Sequence, residues 1–158
     1  MSDKLHSVTR RSALALVAAF LLQRSPAEAE SQAILVHKDP NCSCCSGWVK
    51  HLKDAGFTVT VDETTDLEPV RKRVGVPADL AACHTAEVDG YVLEGHVPAT
   101  AVRRLLKERP TAIGLSVPGM PTGSPGMEGG TPRPYDVVLF GKTGRQPFMH
   151  FVGSENIG

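Results

Sequence analysis

The sequence predicts an α/β fold, a mixed sheet with flanking helices, and three observations lead to this prediction. Apolar, β-branched runs such as residues 33–37 and 57–61 are typical of strands. Segments between such runs, for example from Ser43 to Ala55, place apolar residues three and four positions apart, as an amphipathic helix does. The alternation fills most of the 158-residue chain, a length that suits one domain.

The N-terminal residues are predicted to be an export signal peptide rather than part of this domain. Arg10-Arg11 is followed by the ten-residue apolar run 13–22 and by Ala27-Glu28-Ala29, an A-x-A cleavage signal. The run is too short to span a hydrocarbon core of about 30 Å, which disfavours an uncleaved anchor. The paired arginines resemble a twin-arginine signal, with the general secretory route as the alternative. We therefore expect a signal peptide at 1–29 and a single periplasmic domain at 30–158, which does not associate with the membrane once the signal is cleaved.

The elements of the domain follow from turn and cap signals. Pro40 ends the first strand, and Gly56 is placed to cap the first helix. Asp66 is placed to cap a short helix, and Asp89-Gly90 is a strong hairpin turn signal. The expected elements begin with a strand at 33–37, a helix from Ser43 to Ala55, a strand at 57–61 and a short helix that starts after Asp66 and ends at Val74. A hairpin of 83–88 and 91–93, a helix after Pro98 and a C-terminal hairpin of 135–140 and 146–152 follow.

This element order is that of a thioredoxin-like (glutaredoxin-like) fold. Cys42 and Cys45 form a C-x-x-C pair at the start of the first helix, as in that fold. Val76-Pro77 resembles the dipeptide whose cis-proline faces the cysteines there. A loop at 118–134 is an addition: ten of its 17 residues are Gly or Pro, and it repeats Pro-Gly-Met. A loop of this length inside a domain is usually functional or disordered.

The cysteines are the main candidate site. Cys42, Cys44 and Cys45 fall within four positions, among polar neighbours that do not suit a buried core cluster. A helix N-terminus favours thiolate, which is both a nucleophile and a soft-metal ligand. Cys42 and Cys45 alone suit disulfide exchange, whereas the third thiol, Cys44, suits a soft metal. Cys83 is a candidate fourth sulfur. The spacing is unlike ferredoxin runs, so an Fe–S carrier is a third, less favoured reading.

Other soft or nitrogen donors are further candidates. Met120 and Met127 of the two Pro-Gly-Met repeats carry thioethers, which select Cu(I), or they cover an apolar groove. His84 follows Cys83. Met149 and His150 are adjacent on the last strand and face opposite ways, so only one of them is expected to reach the site, and His150 is the preferred candidate. The remaining histidines of the domain are not expected to bind metal. His37 closes the first strand, within reach of the cysteine turn, His51 is expected to be solvated on the first helix, and His96 is expected to be a loop residue.

The charge balance excludes little but supports no extended anionic partner. Lys and Arg together number 17, as do Asp and Glu, so the formal net charge is zero. The composition therefore gives no argument for nucleic acid or for an anionic membrane surface as a partner. Metal ions are the expected partners.

Several motifs together resemble those of the CopG-type bacterial copper-resistance proteins, some of which are classed as a metal-binding domain of unknown function. They are the C-x-C-C turn at 42–45, residues 82–86 and 88–98, and the Pro-Gly-Met loop. The resemblance covers about residues 33–151. It implies a periplasmic, thioredoxin-like protein that binds copper, with Cys42, Cys44, Cys45 and Cys83 as the matching thiols. It also implies that more than one Cu(I) is held, with a role in copper redox interconversion and contact with other periplasmic copper-handling proteins.

Two functions are therefore carried forward. The first is an exported copper-binding protein for copper tolerance, holding Cu(I) through the four thiolates. The second is a periplasmic thiol-disulfide oxidoreductase in which Cys42 attacks and Cys45 resolves the mixed disulfide. Metal binding is preferred to enzymatic turnover, which stays open.

Overall fold

A computed structural model describes residues 32–158 of the chain, which fold as three α-helices and eight strands. The helices are α1 (Ser43–Asp54), α2 (Glu68–Val74) and α3 (Ala99–Glu108), and a 3₁₀ helix spans Ala78–Leu80. The strands are β1 (Ala33–Lys38), β2 (Thr58–Glu63), β3 (His84–Val88), β4 (Tyr91–Gly95), β5 (Gly114–Val117), β6 (Pro134–Gly141), β7 (Gly144–Val152) and β8 (Glu155–Asn156).

The strands form one mixed sheet in the order β2-β1-β3-β4-β5-β6-β7-β8. β1 runs parallel to β2, and β4 runs parallel to β5, whereas the other neighbours are antiparallel. β3 and β4 are joined at Asp89-Gly90, where both residues have positive φ (47° and 83°). This is the backbone of a tight two-residue hairpin turn. The predicted mixed α/β architecture is confirmed.

Helices cover both faces of the sheet. α1 and α3 contribute Trp48, Leu52, Val102 and Leu105 to the main core, in which Leu93 of β4 is also fully buried. A smaller cluster is formed by Leu80, Val92 and Phe140, with Val74 of α2 packed against it. Because Val92 and Leu93 are consecutive on a strand, the two clusters lie on opposite faces.

Some details differ from the sequence prediction. β5 was not predicted, since its four residues include Gly114 and Ser116 and carry no alternating pattern. Asp66 is not the N-cap of α2: Leu67 occupies that position, and the Asp66 carboxylate instead accepts a hydrogen bond from the Glu68 N–H. The Val76–Pro77 bond is trans, like every peptide bond in the described residues, so the cis-proline analogy is wrong.

The predicted export signal lies at residues 1–29, outside the described residues. Within 32–158 no helix has the length and apolar character needed to cross a bilayer.

Candidate metal centre

The three clustered cysteines occupy the first turn of α1. Cys42 is the N-cap residue, in extended conformation, and its Sγ accepts a hydrogen bond from the Cys45 N–H at 3.3 Å. The Asp39 carboxylate accepts from the Asn41 N–H at 2.7 Å, which folds the turn that leads into the helix. The Cys42 sulfur therefore takes the place of the usual Ser or Asp oxygen at a helix N-terminus, where the dipole favours a negatively charged group.

Four sulfur atoms converge at this turn. The Sγ atoms of Cys42, Cys44, Cys45 and Cys83 all lie within 4.8 Å of one another. Cys42 and Cys45 are joined by a disulfide, with their Cα atoms 5.3 Å apart, whereas Cys44 and Cys83 are free. Cys45 is fully buried, and the other three are partly exposed. Such a set can hold a soft metal once the disulfide is reduced, or it can exchange disulfides through the bonded pair.

A buried ion pair fixes the backbone that carries Cys83. Glu94 on β4 is fully buried and accepts a hydrogen bond from the Ala82 N–H at 2.6 Å. Arg71 on α2 donates to Glu94 at 3.0 Å and also to the Ala82 carbonyl. The hydroxyl of Thr85 donates to the second carboxylate oxygen at 2.6 Å. Burial raises the pKa of Glu94, while these donors and the Arg71 charge favour its ionised form.

Two imidazoles lie against the Cys83 sulfur. Nδ1 of His84 is 3.4 Å from it and Nε2 of His96 is 3.2 Å from it, and the three donor atoms lie within 4.8 Å of one another. Both rings are fully buried, and His84 packs on Trp48 with ring centroids 4.2 Å apart. His96 had been expected to be an ordinary loop residue, and that expectation is wrong. The sequence did carry one signal. His96 directly follows β4, and Cys83 directly precedes β3, so the antiparallel pairing of these two strands brings the two residues close together.

Burial keeps these groups uncharged in the metal-free protein. It raises the pKa of Cys83 to about 12, with the neighbouring Cys44 adding to the effect. It lowers the pKa of His84 to about 3, with His96 adding to the effect, and it lowers the pKa of His96. Both imidazoles are therefore neutral near pH 7 and can serve as ligands. A metal that binds Cys83 must displace its proton.

The Pro/Gly/Met loop packs directly on the cysteine helix. Gly126 has φ of +87°, and a Cβ there would lie 2.7 Å from the backbone nitrogen of Trp48 and would also collide with the Cys44 carbonyl oxygen. From the other side, a Cβ on Gly47 would lie 3.0 Å from the Gly126 Cα. Two glycines thus permit backbone-to-backbone contact. The adjacent Pro125 carbonyl accepts a hydrogen bond from Nδ1 of His96 at 2.7 Å.

The loop methionines differ in exposure. Met127 directly follows the contacting glycine and is half-buried, with its N–H bonded to the Ser124 carbonyl at 2.8 Å. Met120 is 43% exposed, with φ of +48°.

The other residues singled out from the sequence lie in different surroundings. His37 is buried between the carboxylates of Asp62 and Glu87, at 2.9 and 3.1 Å. His51 is not solvated as expected, because its Nε2 accepts the Ala99 N–H at the start of α3. The last two lie on β7: His150 pairs with Asp136 at 2.5 Å on an exposed surface, and Met149 is buried in the main core.

Comparison with known proteins identifies the family. The chain is similar to a solved structure of copper resistance protein CopG, form 1, with 44% identity over 78% of this chain and 100% of that one, at a TM-score of 0.73. The chain belongs to the CopG copper-resistance family. Form 2 of CopG matches with 43% identity over 82% of this chain and 100% of that one, at a TM-score of 0.70.

A family model described as a protein of unknown function, DUF411, matches residues 80–127. This segment contains Cys83, both of its imidazole neighbours and the loop as far as Met127. No curated protein gave a significant match.

Proposed function

We propose that this CopG-family chain is an exported protein that binds copper as Cu(I) and serves copper tolerance. The observation that carries the proposal is the convergence of four cysteine sulfurs within 4.8 Å of one another. Thiolate is a soft ligand that favours Cu(I), and four sulfurs exceed what disulfide exchange requires. Membership of a family named for copper resistance supports copper as the ion, and the C-x-C-C motif at 42–45 supplies three of its proposed ligands.

In this proposal the four cysteines are the ligands and the oxidised pair is the resting, metal-free form. Reduction of the Cys42–Cys45 disulfide takes two electrons and two protons and yields two thiols, which lose their protons as metal binds. Four thiolates have the capacity to bridge more than one Cu(I). Met127, beside the contact between loop and helix, is the thioether we favour for closing the site, with Met120 and His150 as outer candidates.

The proposal also includes the location and the domain type. We propose that residues 1–29 direct export to the periplasm, so that the domain from residue 30 onwards functions there with other copper-handling proteins. The succession β1, α1, β2, α2, β3, β4, α3 supports a thioredoxin-like domain that is extended by β5 to β8.

The test is an anaerobic titration of the reduced mature protein with Cu(I), Zn(II) and Ni(II) in separate experiments, in the presence of a competing chelator. We expect Cu(I) to be retained in preference to the other two ions. Replacing Cys42, Cys44, Cys45 or Cys83 by serine should weaken retention in each case. Loss of copper to a moderate competitor from the wild-type protein would contradict the proposal.

A thiol-disulfide oxidoreductase is the second candidate, because Cys42 and Cys45 are bonded at the start of α1. Partly exposed Cys42 would attack a substrate disulfide, and fully buried Cys45 would then release the mixed disulfide. Insulin reduction separates the two functions. Activity that is lost in Cys42→Ser but kept in Cys44→Ser and Cys83→Ser would favour the oxidoreductase, whereas copper retention that depends on all four cysteines favours the metal-binding protein.

A further inference from the structure

The sheet ends in two edge strands of different character. Within residues 32–158, β2 closes the sheet on one side and β8 on the other. β8 has two residues, and a very short strand is one of the devices that keep a sheet edge from pairing with another chain. β2 has six residues in regular register with β1, without a bulge, a proline or a lysine. The β2 edge therefore lacks most of the protection that edge strands usually carry.

Every second residue of β2 turns its backbone polar groups away from the sheet. The Thr64 N–H, just after the strand, bonds to the Lys38 carbonyl of β1, which places the even-numbered residues of β2 on the β1 side of the ladder. The odd-numbered residues then point their N–H and C=O groups outward, as an edge strand does. They are Val59, Val61 and Glu63, and these backbone groups form no hydrogen bond within the described part of the chain.

The side chains of this edge are compatible with a neighbouring strand. Val61 is a large apolar residue that is 36% exposed. The two carboxylates at the end of β2 each lie near a basic group of the same subunit. Asp62 is 2.9 Å from the His37 ring, and Glu63 is 3.8 Å from the ammonium group of the buried Lys38. Like charges at this end therefore have partners of their own, which reduces their repulsion of a second strand.

Antiparallel pairing of β2 with a second copy of itself satisfies the edge in one register. With Val61 opposite the Val61 of the second copy, Val59 lies opposite Glu63, and each of the three residue pairs can form two hydrogen bonds. Thr60 then lies opposite Asp62, so no carboxylate faces another one. Centring the pair on Thr60 would leave Glu63 without a partner, and centring it on Asp62 would set like charges directly opposite each other, which is destabilising.

We infer that the protein forms a dimer with a second copy of this chain, in which the two β2 strands pair antiparallel about a two-fold axis at Val61. The same surface serves both subunits, as a two-fold interface requires. In such strand addition the main-chain hydrogen bonds supply affinity, and the central valine pair adds a contact between β-branched side chains. None of the proposed copper ligands lies on β2, so the dimer does not depend on the metal.

The size of the contact determines how stable the dimer is. Each subunit contributes one strand of six residues. This is less than the 20–30 residues on each side of a standard interface, which buries about 1,600 Å² in total. We therefore expect a dimer that dissociates on dilution.

The first test is sedimentation velocity of the purified protein over a wide range of concentrations. We expect the sedimentation coefficient to rise from that of a monomer to that of a dimer as the concentration increases. Residue-resolved amide hydrogen exchange then reports the surface involved. Protection of the Val59, Val61 and Glu63 amides should rise about tenfold or more between the dilute and the concentrated sample. The Thr60 and Asp62 amides, which already bond to β1, should change little.

Two substitutions at the centre of the edge test the contact by disrupting it. Val61→Lys sets two ammonium groups directly opposite each other, and Val61→Pro removes an outward N–H without removing a bond to β1. Each should abolish the dimer, while far-UV circular dichroism and thermal unfolding of the dilute protein check that the monomer still folds. Ile157→Lys, at a 57% exposed apolar residue next to β8, is the matched control and should dimerise as the wild type does.

A monomer at every concentration would overturn the inference and would leave the edge to an extended segment of a different protein. A dimer that persists in both Val61 variants would also overturn it, since a dimer linked through the free thiols of Cys44 or Cys83 would behave in that way. Loss of the dimer in Ile157→Lys would place the contact at the opposite edge of the sheet and contradict the inference. Protection that rises with concentration elsewhere but not at the three outward amides would do the same.

Discussion

Glu94 shows how one buried residue supports a site that it does not touch. Its carboxylate, fully buried, accepts the Ala82 N–H and pairs with Arg71, which also contacts the Ala82 carbonyl. Both polar groups next to the Cys83 peptide are thereby anchored to α2 and β4. Burying a charged carboxylate costs desolvation free energy, and here the ion pair with Arg71 and the hydrogen bonds to the carboxylate offset that cost. Glu94 is therefore a positioning residue for Cys83.

Replacing this carboxylate tests that role. Glu94→Gln keeps the shape but leaves Arg71 facing a neutral, partly buried partner, so we expect the free energy of unfolding to fall by about 3 kcal/mol. Cu(I) affinity should fall as well, because the Cys83 backbone loses its anchor. Urea unfolding and a Cu(I) competition titration measure the two effects. Glu108→Gln, at an exposed ion pair with Arg104, is the control and should change both by little. Wild-type copper affinity in Glu94→Gln would show that Cys83 is held by other contacts.

At the scale of single elements, α3 begins without a side-chain cap of its own. Its N-cap is Pro98, and the Ala99 N–H donates to Nε2 of His51 on α1 at 3.0 Å. The ring must be neutral to accept this hydrogen bond. Burial lowers the pKa of His51, with Glu128 and Asp54 opposing the shift. His51 thus couples α1 and α3 in a pH-dependent way.

The sign of that coupling follows from proton linkage. The unfolded chain, in which the His51 pKa is about 6.5, binds a proton more readily than the folded protein. The stabilisation that neutral His51 gives the folded protein is therefore complete above about pH 6.5, and it is lost as the pH falls through the lowered folded-state pKa. We expect His51→Gln, whose amide oxygen can accept the same hydrogen bond, to reduce the loss of stability between about pH 7 and pH 5. Thermal unfolding across that range measures it, with the exposed Lys53→Gln as the control. An unchanged pH dependence in His51→Gln would contradict this assignment.

The Pro/Gly/Met loop is held on α1 at a point that tolerates no side chain. In Gly126→Ala the alanine would have to adopt a strained positive φ, and its Cβ would collide with the backbone nitrogen of Trp48 and the Cys44 carbonyl oxygen. The control is Gly129→Ala, which has φ of +119° and open space around it. The left-handed conformation should cost each variant about 1–2 kcal/mol, and overpacking should cost Gly126→Ala about 1–3 kcal/mol more. Chemical denaturation gives both values. Equal destabilisation of the two variants would mean that the loop moves away from α1 at no cost.

At the scale of the whole molecule, the sequence predicted the parts in which local signals agree with the tertiary fold. The β-branched runs, the amphipathic face of α1 and the Asp89-Gly90 turn each matched the observed element. β5 could not be found in this way, because its pairing with β4 and β6 is a tertiary contact that leaves no pattern in four residues. The Val76-Pro77 analogy was wrong because sequence alone does not fix the isomer of a proline bond.

The candidate site divides in a similar way. Three of its cysteines are adjacent in the sequence, so their crowding was visible at once, and Cys83 was proposed as the fourth sulfur. His96 was missed because its role depends on two distant partners, the Cys83 sulfur and the Pro125 carbonyl. Only the pairing of β3 with β4 and the return of the loop over α1 bring these groups together.

The central claim is that cysteine sulfurs hold copper in this protein. X-ray absorption at the copper edge of the reduced, Cu(I)-loaded protein tests it most directly, because this measurement reports the elements bound to the ion. We predict a first shell dominated by sulfur, which loses sulfur in Cys42→Ser and Cys45→Ser. A first shell made only of nitrogen and oxygen, or one that is unchanged in those two variants, would contradict the account.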